Sequence, residues 1–86
     1  SVVNMDIASN PNMKLVLMAF DAGTGLSEHS APGDALIFAL EGEVELVYEG
    51  TPHKVKAGEQ FRMAKGGRHS LKAEGRFKMA LLLTLA

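Results

Sequence analysis

Short stretches in which apolar and polar residues alternate, broken by turn residues every eight to twelve positions, set the pattern of this chain. The clearest is Glu43-Val44-Glu45-Leu46-Val47-Tyr48-Glu49, with Val44, Leu46 and Tyr48 on one side and glutamates on the other. It leads through Gly50-Thr51-Pro52 into His53-Lys54-Val55-Lys56, whose lysines take the outer side and so suit cross-strand pairing with the glutamates. Asn10-Pro11-Asn12, Asp21 to Gly25, Pro32-Gly33-Asp34, Gly66-Gly67 and Glu74-Gly75 are further turn signals. The remaining strands are expected near residues 2–7, 13–20, 26–31, 35–41, 60–63, 69–73 and 77–85, leaving no room for a helix. About nine short strands at this spacing predict an all-β sandwich or closed barrel.

Two segments carry apolar residues on both sides. In 13–20, Met13, Leu15, Leu17 and Ala19 oppose Val16, Met18 and Phe20; in 77–85, Phe77, Met79, Leu81 and Leu83 oppose Ala80 and Leu82. A strand of an antiparallel monomer normally turns one face to water, so a second apolar face calls for a cover. In a chain without helices the simplest cover is a second copy, and a homodimer is expected. Its patch is assigned to Val16, Met18, Phe20, Leu36, Phe38, Leu40 and Leu82, with Ala35, Ile37 and Ala39 turned inward.

Composition narrows the class. The 86 residues make one domain, 1–86, with 47% hydrophobic and 22% charged residues, which is ordinary globular usage. Nine basic against ten acidic residues provide no footprint for nucleic acid and no polybasic membrane patch. With no cysteine there is no disulfide, thiolate metal site or cysteine nucleophile. No apolar run approaches the roughly 18 residues of a membrane helix, and no signal peptide is visible, so a cytoplasmic location is expected. The chain begins on Ser1, and its natural start is expected to lie upstream.

Glycines and histidines recur in two frames. Gly23, five residues, then His29 lead through Ala31 and Ala35 to Gly42; fifteen residues later Gly58, five residues, Ala64, Gly66 and two residues lead to His69. This arrangement resembles the two motifs of the cupin superfamily, here at 23–42 and 58–73. The resemblance implies an antiparallel jelly-roll (double-stranded β-helix) barrel with a metal site near one end of its interior. It also implies two His and one Glu from the first motif and one His from the second as metal ligands. His29 and His69 match two of these positions, whereas the second His position holds Ala31 and the Glu position Ala35. Ala64 and Ala73 replace the Pro and Asn of the second motif.

Alanine offers no lone pair, so half the ligand set is missing. Zinc sites take three protein ligands plus water and non-haem iron takes two His and a carboxylate, so His29 and His69 would hold a divalent ion (Zn, Ni, Mn or Fe) only weakly. Alternation sends Glu28 outward, and Asp34 falls in a turn where a capping role is expected. His53 is assigned to the hairpin end, and Arg62 and Arg68 to a solvated rim. Ser27 and Ser30 face away from His29 as strand neighbours, and Gly66-Gly67 lacks the Lys-Ser/Thr and helix of a phosphate loop.

The preferred reading is a small cupin that binds a small organic molecule in the barrel mouth without a tightly held metal and without chemistry. His29 and His69 are its polar fixtures, and Ile37, Ala39, Met63, Leu71 and Met79 its expected apolar lining. The alternatives are a metal-dependent enzyme of the isomerase or dioxygenase kind using His29 and His69, and a non-catalytic dimeric interaction module.

Overall fold

A computed structural model describes residues 1–85. They form nine strands and no helix: β1 Val2–Asn10, β2 Met13–Phe20, β3 Gly25–Ser30, β4 Ala35–Glu41, β5 Glu43–Tyr48, β6 Thr51–Lys56, β7 Gln60–Met63, β8 Arg68–Lys72 and β9 Phe77–Thr84. All pairings are antiparallel and fall into two sheets, one ordered β1-β2-β9-β4-β7 and the other β3-β8-β5-β6. The two sheets face each other as a jelly roll, the architecture expected from the motifs.

Local chemistry accounts for the edges of the strands. β1 runs three residues beyond its expected end because the Asn10 carboxamide oxygen accepts hydrogen bonds from the Asn12 and Met13 amides, closing a tight turn into β2. The β5–β6 hairpin turns on Glu49 and Gly50, both with positive φ (48° and 81°), as a two-residue turn matched to strand twist. β6 therefore begins at Thr51, two residues earlier than expected, and Pro52 sits in an edge strand, where its missing N–H does least harm. Glu43 pairs with Lys56 and Glu45 with Lys54 across this hairpin, and Lys54 reaches diagonally to Glu43 at 3.2 Å.

The core lies between the sheets. Ile37, Leu46, Val44, Met63, Met79 and Phe77 are essentially fully buried, and Phe20 packs on Phe77 with ring centroids 5.5 Å apart. Each such side chain contributes roughly 1.5–3 kcal/mol of burial free energy. The expected outward patch needs one correction: Val16, Met18 and Phe20 are buried in the core, and it is Leu15, Leu17 and Ala19 that face outward from β2. Register fixes this, since Val16 lies opposite Leu81, Met18 opposite Met79 and Phe20 opposite Phe77. Leu36, Phe38, Leu40 and Leu82 do lie on the outer face.

Candidate functional site

β3 and β8 bring the two histidines together. His29 lies opposite His69 in register, and their rings meet edge to face with centroids 4.1 Å apart. Strict alternation from the inward-packed Leu26 would turn His29 outward. A bulge between Leu26 and His29 inserts one residue and re-aims the imidazole toward His69. His69 is 6% exposed; His29 is exposed at the rim and is not the interior residue expected from the sequence.

Both rings are oriented by backbone carbonyls two residues upstream. His29 Nδ1 is 2.8 Å from the Ser27 oxygen, and His69 Nδ1 is 3.2 Å from the Gly67 oxygen. A carbonyl only accepts, so Nδ1 carries a proton in each ring, and a neutral imidazole held this way keeps its lone pair on Nε2. Burial pushes the His69 pKa below its ordinary value, and the neighbouring His29 adds to the shift against the opposing pull of the Gly67 carbonyl. His69 is therefore a neutral hydrogen-bond acceptor at pH 7.

The turn before β8 holds this arrangement. The Gly67 oxygen also accepts the Ala31 amide at 3.1 Å, and the Gly66 amide donates to the Ala31 oxygen at 2.8 Å. Tyr48 lies over Gly67 so closely that any side chain there would strike its ring, and its hydroxyl accepts the Ala64 amide at 3.1 Å. Asp34 caps the same turn through the Lys65 amide at 2.9 Å, the role expected of it. Glu28 points outward and pairs with Arg68 at 2.8 Å, which raises the guanidinium's pKa. His53 does not end as a free surface group at the hairpin; its ring packs 4.8 Å from Phe61, at the opposite side of the sandwich from His29.

A cleft of about 410 Å³ opens between β2–β9 and β3 and reaches His29. Val16, Met18, Leu26, Leu81 and Leu83 form its apolar wall, and Asn4, Lys14, Ser27 and His29 bring polar groups to it, so Ser27, two residues from His29, shares the cleft with it and does not face away as expected. The expected lining is corrected here. Ile37, Met63 and Met79, at 0–1% exposed, together with Ala39 and Leu71, belong to the packed core and do not form the wall of this cleft. The bulge and the N-terminal strand that shape the cleft leave no motif in the sequence. Leu81 and Leu83 could have been found, since they share a face with Met79.

The donor set does not fit a tightly held metal. Ala31 and Ala35 are buried at 3% and 4% in the positions of the missing ligands, and among the described residues no group of three or more His, Cys, Asp or Glu side chains converges. Two Nε2 atoms alone fall short of the three protein ligands usual for zinc or non-haem iron.

An antiparallel jelly roll with paired histidines on adjacent strands beside an apolar mouth defines a double-stranded β-helix protein. The cupin domain profile matches residues 16–85, and the chain belongs to the cupin family. A cupin superfamily protein from Desulfitobacterium hafniense superposes with a TM-score of 0.95 at 23% identity, covering 100% of this chain and 79% of that one. A cupin 2 conserved barrel domain protein from Leptotrichia buccalis is 36% identical with a TM-score of 0.93, covering 98% of this chain and 41% of that one. KdgF from a Halomonas species superposes at 0.91 with 21% identity, over 99% of this chain and 79% of its own. No curated protein matches the chain by sequence.

Proposed function

We propose that this cupin binds a small organic molecule in the cleft beside His29, without a tightly held metal and without catalysing a reaction. The cleft itself carries the reading: about 410 Å³ of mostly apolar wall with a few convergent polar groups has the size and character of a small-molecule site. The orientation of His29 adds to it: the Ser27 carbonyl holds its Nδ1, which leaves Nε2 to meet a polar group of a ligand in the cleft, whereas His69 lies behind it and does not line the cleft. Lys14, 3.7 Å from Asp6, supplies a positive group at the mouth that is only partly offset. The incomplete donor set supports the metal-free form of the reading over a metal-dependent isomerase or dioxygenase.

The test is an NMR titration of isotope-labelled protein with a panel of small hydroxylated carboxylic acids, with metal analysis alongside. Shifts centred on Leu26, His29, Leu81 and Leu83, and at least tenfold weaker binding by His29→Ala, are expected. No shift at millimolar concentrations, or shifts away from the cleft, would overturn the reading. Stoichiometric metal surviving dialysis would promote the metalloenzyme alternative in its place.

A further inference from the structure

The polarity of β1 runs against that of its neighbour β2. Residues paired across an antiparallel ladder share a face, and Asn4 lies opposite Met18, Asp6 opposite Val16 and Ser9 opposite Lys14. Val16 and Met18 point into the core, so the inner side of β1 carries Asn4, Asp6 and Ser9, all polar and all exposed. Val3, Met5 and Ala8 take its outer side. A bulge between Asp6 and Ala8 keeps both Asp6 and Ser9 on the inner side. A polar inner row belongs to a strand that looks into an open cleft and not onto packed side chains.

Charge in that cleft is one-sided. Among the described residues that line it, Lys14 is the only lysine, arginine or carboxylate, and its ion-pair partner Asp6 stands outside the lining. The pair is loose. Lys14 Nζ and Asp6 Oδ2 are 3.7 Å apart, beyond the roughly 2.7–2.9 Å of a charge-assisted hydrogen bond. Side-chain exposures of 39% for Lys14 and 62% for Asp6 put the lysine deeper than its partner. Solvent screening makes such a pair weak, which leaves the ammonium's donors to a better-placed acceptor.

On the reading that this cleft is a ligand site, we propose that its ligand is a small monocarboxylate with an apolar body, and that Lys14 selects it. The incoming carboxylate replaces Asp6 as the partner of the ammonium. The apolar body lies against Leu26, Leu81 and Leu83, and a hydroxyl on it meets Asn4, Ser27 or His29. Charge sets the class. A ligand ammonium would be placed beside Lys14 with no carboxylate in the cleft to receive it, and a neutral ligand would gain nothing from the lysine's charge. A phosphate group would bring nearly two negative charges to one lysine that already has Asp6 beside it. Asp6 is then a built-in competitor: it holds the ammonium near the mouth and is a weak enough partner to yield.

NMR titrations at neutral pH and low salt test this with three probes of one shape: mandelate, its neutral amide mandelamide, and the cation 2-amino-1-phenylethanol. Mandelate should shift Leu26, His29, Leu81 and Leu83 and bind about tenfold more tightly than mandelamide, the size of one charge-assisted contact at a half-exposed site. The cation should bind weakest. Lys14→Met keeps the apolar stem and should bring mandelate down to the affinity of the amide, with the amide unchanged. Asp6→Asn should tighten mandelate about two- to fivefold by removing the competitor, again with the amide unchanged. The comparison of probes on wild type needs no variant to fold. Mandelamide binding in the cleft as tightly as mandelate, or a preference that survives Lys14→Met, would overturn the assignment of Lys14 and leave the cleft a ligand site. A preference for the cation would overturn it as well and hand recognition to Asp6. No cleft shift from any of the three at millimolar concentrations would overturn both the ligand class and the ligand site.

Discussion

Acidification from pH 7.5 to 5.5 should destabilise the protein through His69. Its folded-state pKa is lowered, chiefly by burial, so the unfolded chain takes up a proton that the folded chain refuses. The sign follows directly. Above the unfolded value of 6.5 both states are neutral at this site and stability is unaffected; below it, stability is lost until the folded-state pKa is reached. One proton of difference changes stability by at most about 1.4 kcal/mol per pH unit. For a domain of this size that lowers the melting temperature by up to roughly 5–11 °C per pH unit. Thermal melts of wild type and His69→Gln, at one protein concentration and with a chelator, isolate the effect. The glutamine stays neutral and keeps an N–H within reach of the Gly67 carbonyl. Carboxylates titrate mostly below this window. The wild-type curve should fall away from the variant's below about pH 6.5. Parallel curves, or a wild type that gains on the variant as pH drops, would refute the assignment of His69 as a buried neutral base.

Two further substitutions test the packing around the site. Met79→Ala should cost about 2–5 kcal/mol in urea denaturation, as for a core side chain; a loss below about 1 kcal/mol would return Met79 to the wall of an open cavity. Gly33→Ala should cost at least about 2 kcal/mol, because a Cβ there overlaps the Thr84 carbonyl oxygen. The movement would break the latch in which Thr84 N donates to Asp34 O at 2.9 Å and Asp34 N donates to Thr84 Oγ1 at 3.0 Å. Unchanged stability would show that the 32–34 turn is free to shift.

How far the sequence could be read depended on whether each strand carried a marker of its phase. β5 and β6 did: glutamates and lysines at every second position fixed register and facing, and the structure pairs Glu43 with Lys56 as alternation implies. β9 carried one charge, Lys78, on the side opposite Met79, and its inner face was legible for that reason. β2 misled because its only charge, Lys14, shares its phase with Val16, Met18 and Phe20. Lys14 escapes burial through the cleft, so its charge marks as outward a side that becomes the core. The spacing of glycines and histidines was enough to bring His29 and His69 together. The cleft beside them was not legible, because it depends on a bulge with no residue signature and on β1, whose contribution is set by pairing.

The chain order of the larger sheet has a consequence for the nascent polypeptide. β2 and its hydrogen-bonded neighbour β9 are neighbours in space but are separated by more than fifty residues of chain. At synthesis rates of 5–20 residues per second, β2 waits roughly 3–13 s for that strand to be made. β1 can close on one edge at once, since a tight turn joins them, but the other edge and both apolar faces stay open during the wait. Lys14 is the single charge within those eight residues that guards against strand-to-strand association between nascent chains. A circular permutant that translates β9 immediately before β1 and β2 would shorten the exposure without altering one contact of the finished sheet.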